Sequence, residues 1–202
     1  MDLSAIGRTE DSQLLAERTL VLTDERKLPQ APAFIACYGA LYSAALAGQA
    51  TQMSRWSTCS ERFSGLNQAQ QAGYRKFLLQ AESLALRQQQ RPQEAVARLR
   101  EAVGSNPDGA YSSHAVQRLQ ANLAFAMLDA GQVPDAIELL TDVRASLIQR
   151  FGPEHISIKQ IDGVLSELPP EVRSHFDGDT LASAARQFEA RMGRPVDRLR
   201  LW

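Results

Sequence analysis

The side chains of this sequence best suited to chemistry are three histidines, two cysteines and an Asp-Gly-Asp triplet. His114, His155 and His175 are far apart along the chain, and each sits near an expected helix start or turn. Metal sites need clustered ligands, so these residues read as capping or surface histidines. Cys37 and Cys59 each fall inside a helix-like stretch, and they do not form a close pair with metal-ligand spacing. They are expected to be ordinary reduced residues. Asp177-Gly178-Asp179 starts like a calcium loop but lacks the further acidic positions and the closing Glu. It reads as a turn, with Asp179 capping the last helix. There is no phosphate-binding glycine loop, no Gly-x-Ser-x-Gly elbow and no histidine pair at helical spacing. The expectation is therefore a protein that is not an enzyme and holds no metal or cofactor.

Composition limits the partners. With 22 basic and 23 acidic residues among 202, the formal charge of -1 provides no broad field to draw in nucleic acid or an anionic membrane. Arg186, Arg191, Arg194, Arg198 and Arg200 bias the C-terminal end toward positive charge, which reads as a solvated helix face or a contact for an acidic partner. Between Lys27 and Arg55 no residue is charged. That stretch is mostly Ala, Gly, Ser, Gln and Tyr, with Phe34, Ile35, Leu41 and Leu46 as its strong apolar members, too few for comfortable insertion in a bilayer. It reads as a tightly packed buried helix. The start, Met1-Asp2-Leu3-Ser4, has neither a basic nor an apolar segment of the secretory kind, so a cytoplasmic setting is expected.

Ala, Leu, Gln, Arg and Glu dominate, aromatics make up 6%, and β-branched residues are sparse, so helix is favoured almost everywhere. The expected class is all-α. Pro, Gly and Asn-Pro punctuation predicts helices near 11–26, 31–47, 50–63, 67–89, 92–104, 112–130, 133–150, 156–167 and 179–192. Connections as short as Gly131-Gln132 and Gln90-Arg91 make successive helices antiparallel neighbours.

Two of these hairpins overlay when one is shifted by 41 positions. Leu123, Ala124 and Met127 precede Gly131, followed by Ala136, Leu140 and Val143; Ser83 and Leu86 precede Gln90, followed by Ala95, Leu99 and Ala102. Small residues at Ser83, Ala95, Ala124 and Ala136 let paired helices approach closely, while larger ones fill the gaps between pairs.

At these positions the chain resembles the tetratricopeptide-repeat (TPR) family. The run Asn122-Leu123-Ala124, the turn Gly131-Gln132, Ala136 and the ending Phe151-Gly152-Pro153-Glu154-His155 are similar to the longer repeats of kinesin-light-chain type. Ile156 stands where the last Pro of their usual ending would fall, and Val164-Leu165-Ser166 replaces the next Asn-Leu-Ala. The likeness is clearest over 67–104 and 112–155 and weak over 31–63, where Met53 takes the place of the packing Ala. It implies one domain over 1–202, an α-solenoid forming a right-handed superhelical array. Residues 1–30, with Leu14, Leu15, Thr19 and Leu22, would be an N-terminal cap or half repeat. Residues 170–202 would hold a capping helix with the stripe Leu181, Ala184, Ala185, Phe188 and Met192.

The resemblance also implies a function, binding of a peptide or protein segment in a concave groove. The implied partner-binding positions are Phe77, Gln80, Leu84 and Arg87 in the earlier repeat and Arg118, Asn122, Phe125 and Asp129 in the later one. Ala81, Gln88 and Ala121 share those faces. Asn122 would hold a ligand backbone through its amide, which both donates and accepts; the other reading is a surface Asn bonded to its own neighbours. Phe77, Leu84 and Phe125 either line the groove or belong to the core between repeats. The places of a Lys and Asn carboxylate clamp are held by Gln80 with Leu84 and Ala121 with Phe125, so that clamp is absent. The competing function is a ligand- or peptide-sensing regulatory domain of a larger transcription regulator or kinase.

Overall fold

The computed structural model describes residues 9–27, 30–59, 68–104, 113–173 and 178–193. All regular structure among them is helical. The helices are α1 (Thr9–Arg26), α2 (Gln30–Leu46), α3 (Ala50–Ser57), α4 (Gln68–Gln88), α5 (Pro92–Gly104), α6 (Ser113–Asp129), α7 (Val133–Phe151), α8 (Ile156–Ser166), α9 (Pro170–Arg173) and α10 (Gly178–Met192). They fall into two compact units, Met1–Ala110 and Tyr111–Trp202.

In the first unit α2 packs against α1, α3 and α4, and α4 packs along α5. α2 is enclosed over Ala40–Ala45, where its contact surface is built largely from small residues, whereas Ile35 near its start is 63% exposed, unlike the buried helix expected throughout. Ala33, Cys37, Ala40, Ala44 and Ala45 are buried and let its neighbours come close, with Phe34 and Leu41 filling the remaining space. No helix among the described residues is long and apolar enough to cross a membrane. In the second unit α6 packs on α7, α7 on α8 and α8 on α10. Its core runs through Ala124, Phe125, Ala136, Leu140 and Leu147 to Ile161, Leu165 and Phe188.

Three turns share one geometry. After α2, Gly48 N–H donates to Ala45 O (3.2 Å) and Gln49 N–H to Ala44 O (2.9 Å). After α4, Gln90 N–H donates to Arg87 O (3.0 Å) and Arg91 N–H to Leu86 O (2.9 Å). After α6, Gly131 N–H donates to Leu128 O (3.1 Å) and Gln132 N–H to Met127 O (2.9 Å). Each is a Schellman end, in which a residue at positive φ turns the chain back and satisfies the last carbonyls. The φ values are 65° at Gly48, 60° at Gln90 and 76° at Gly131. Gln90 adopts the left-handed conformation without glycine's freedom. The residue four positions after each of Gln49, Arg91 and Gln132 then bonds back to it: Met53, Ala95 and Ala136 at 2.9, 3.2 and 3.1 Å. All three are buried.

Several details differ from the sequence reading. Of the apolar residues carried by the expected cap or half repeat, Leu14 (48% exposed), Leu15 (57%) and Leu22 (41%) are exposed. The buried side of α1 is Ala16 and Thr23, because small side chains permit closer approach to α2. Docking of α1 is completed by Gln13 Nε2 donating to Gln49 Oε1 (2.7 Å) and by Glu17 with Arg55 (2.8 Å). α3 is shorter than the expected 50–63, and residues 60–67 lie outside the described residues. Cys37 and Cys59 are joined in a buried disulfide, not reduced. Neither residue has a neighbouring cysteine in sequence, and only the return of the chain after α3 brings them together. At the other end Leu181, Ala184 and Phe188 are buried against the core as the stripe predicts. Asp179 lies in the first turn of α10, where its charge favours the helix dipole, one position inside the expected cap.

Candidate functional site

The positions assigned to partner binding occupy α4 in the first unit and α6 in the second. On α4, Phe77 is half-buried and packs against Tyr38 of α2, ring centroids 5.3 Å apart, with Tyr42 5.5 Å beyond. Gln80, Leu84 and Arg87 are buried. So is Lys76, at 2% exposure, which the sequence reading did not select. Lys76, Gln80, Ser83 and Arg87 recur at helical spacing on one face of α4, and that periodicity was the available signal. Burial holds the Lys76 ammonium below the usual lysine range. Ser83 Oγ donates to Gln80 O (2.7 Å), so its hydroxyl is satisfied within the helix.

On α6, Phe125 is completely enclosed and Asn122 is 3% exposed. Arg118 is half-buried and Asp129 is exposed. Leu84 and Phe125 are therefore core side chains, the second of the two readings that the sequence left open. Asn122 is likewise no surface residue. The implied positions that present surface are Phe77, Arg118 and Asp129. Gln117, beside Arg118, donates through Nε2 to Ser146 Oγ of α7 and fixes that side of α6.

The fold brings together two of the histidines. The His114 ring lies edge-on to Phe151 (5.2 Å) and to His155 (5.9 Å), and Phe151 stacks on His155 (4.8 Å). His155 also caps α8, its Nδ1 accepting from Ser157 N–H at 3.3 Å, so the capping role expected for it holds. Burial lowers the His114 pKa, and the neighbouring Arg118, His155 and Arg150 add to the effect. His114 Nε2 and Arg118 Nε are buried without a hydrogen-bond partner among the described residues. No group of three His, Cys, Asp or Glu side chains among the described residues could hold a metal ion. His175, Asp177, Arg194, Arg198 and Arg200 lie outside the described residues.

One charged pair ties the second unit together. Arg144 of α7 meets Asp162 of α8 through Nε–Oδ1 at 2.5 Å and Nη2–Oδ2 at 3.1 Å, and Asp162 is almost fully buried. The bond to Asp162 raises the Arg144 pKa. This parallel fork fixes α8 in register on α7.

Comparison with models of known protein families, with curated proteins and with solved structures finds no match for the chain.

Proposed function

We propose that this chain is a protein-interaction module built of TPR-like helical hairpins, which holds a peptide or protein segment against the first helices of its hairpins, α2 and α4 in one unit or α6 in the other. The observation that carries the reading is the recurrence of one turn geometry at Gly48, Gln90 and Gly131, each followed at the same interval by a buried residue where the next helix begins. Stacked repeats bury a continuous core and leave one row of helices free to present side chains. The accessible anchors are Phe77, with Tyr38 beside it, Arg118 and Asp129. Gln80, Leu84, Arg87, Asn122 and Phe125 are enclosed and present no surface to a partner. The aromatic pair Phe77 and Tyr38 suits an apolar residue of such a segment, and the Arg118 guanidinium an acidic or carbonyl-rich one.

The test is recovery of partners from the parent cell with the intact chain and with a Phe77→Ala, Arg118→Ala variant. A protein retained by the first and lost by the second, with unchanged thermal melting, supports the reading. Equal recovery with both would move the binding surface off these helices.

A further inference from the structure

In the second unit the first turns of α6 carry polar atoms that the fold leaves without partners. His114 Nε2 and Arg118 Nε are buried with no hydrogen-bond partner, and the two residues stand one helical turn apart. Among the described residues Arg118 makes no hydrogen bond or ion pair. Neither does the exposed Arg150 near the end of α7, whose guanidinium lies over the Phe151 ring at 5.2 Å. Phe151 is 39% exposed and joins the group, with His114 against its edge and His155 stacked on its face.

The charges that act on His114 are all of one sign. Burial lowers its pKa most, and Arg118, His155 and Arg150 lower it further, with no carboxylate opposing them. The acid next in sequence to His155, Glu154, is exposed and already bonded to Lys159 Nζ at 2.7 Å. A guanidinium cannot shed its charge, so the half-buried Arg118 bears a desolvation cost that no counterion among the described residues offsets. Of its nitrogens only Nε is buried without a partner, which leaves the two Nη groups open to an acceptor from outside. What this cluster lacks is an anion.

We infer that Arg118, supported by Arg150, holds the carboxylate of an acidic residue in the bound segment, with an apolar neighbour of that residue lying against the Phe151 and His155 rings. A guanidinium offers a carboxylate two parallel charge-assisted bonds, and the exposed ring supplies the apolar contact. A phosphate dianion is the poorer fit, because the cost of desolvating an ion rises with the square of its charge and only two fixed cations are present. Once bound, the carboxylate opposes the positive field on His114 and eases its protonation. The inference rests on the proposed role of α6 for the source of the carboxylate, and extends that site to His114, Arg150, Phe151 and His155.

The experiment follows the His114 and His155 imidazole resonances of the full chain during titration with a capped Phe-Glu dipeptide, its Phe-Gln counterpart and phenyl phosphate. Saturable shifts at both imidazoles are expected with the Glu form, and the Gln form, which differs only in lacking the carboxylate, should bind about tenfold or more weakly. Arg118→Gln should weaken the Glu form by a similar factor and Arg150→Gln by less, while Arg18→Gln, removing an equal charge from the first unit, should leave it unchanged. His114 itself provides a readout without substitution, since it should titrate at higher pH with the Glu form bound. Equal binding of the two dipeptides, tighter binding of phenyl phosphate, undiminished binding by Arg118→Gln, or an unmoved His114 titration would each overturn the site. The proposed module is judged separately: a recovered partner lost with Arg118→Ala while the Glu form fails to bind keeps the module and removes this site, and binding of the Glu form with no partner recovered keeps the site and removes the module.

Discussion

Breaking the Cys37–Cys59 disulfide should loosen the first unit by as much as a severe core substitution there. The bond joins residues 22 apart and ties the end of α3 to the middle of α2. Closing a loop of that length in the unfolded chain removes conformational entropy equivalent to about 3 kcal/mol at room temperature. The effect should be concentrated at α3, because eight residues are too few to hold a helix in water without tertiary packing. That packing is the burial of Met53 and Trp56. The assay is urea unfolding before and after reduction, followed by Trp56 fluorescence in a Trp202→Phe background. With a urea slope of about 1–3 kcal/mol/M, the Trp56 midpoint should fall by roughly 1–3 M on reduction. Two free thiols titrated in the unfolded, unreduced protein, or a midpoint indifferent to reduction, would refute the reasoning.

Four further outcomes follow from the same contacts. Ala136→Leu and Ala95→Leu should each cost about 1–3 kcal/mol in thermal or urea melts, since both sites are fully enclosed, while Ala97→Leu, on the exposed side of α5, should be nearly neutral. Gln90→Gly should stabilise the first unit by about 0.5–1 kcal/mol by relieving the left-handed conformation, and Gly131→Gln should destabilise the second by a similar amount. Asp162→Ala should cost about 3 kcal/mol by stranding Arg144 in a partly buried site, with Arg144→Ala, Asp162→Ala together costing less than the sum of the single changes. Because the His114 pKa is lowered on folding, the unfolded chain takes up protons first as pH falls below about 6.5. Melting temperature should therefore drop between pH 7.5 and 5.5, and His114→Phe should flatten that drop.

The sequence made the helices and their pairing legible because each signal is local. Gly48, Gly131 and Pro92 mark ends and starts, and the intervals from turn to Ala95 and Ala136 are set by one helical turn. The same locality explains the misreadings. Which side of α1 meets α2 is set by that contact and not by local pattern, and it buries Ala16 and Thr23 while Leu14, Leu15 and Leu22 stay exposed. Cys37 and Cys59 approach only through the reversal after α2 and the end of α3. The implied site was legible as two faces of α4 and α6, but its division into accessible and enclosed members depends on neighbouring helices. Phe125 and Asn122 disappear into packing, while Phe77 and Arg118 keep surface. Lys76 was passed over because a single charge on a helix is unremarkable until its surroundings are known.

The central claim is that a partner's segment lies on the first helix of a hairpin, α4 with Phe77 in one unit or α6 with Arg118 in the other. It is tested most directly by calorimetric titration of a recovered partner segment into the intact chain and into Phe77→Ala, Arg118→Ala and the double variant. The change in the unit that holds the segment should cost about 1–3 kcal/mol of binding free energy, roughly a tenfold to hundredfold weaker affinity, while melting curves stay superimposed. Affinity unchanged in all three variants, with the fold intact, would contradict the account.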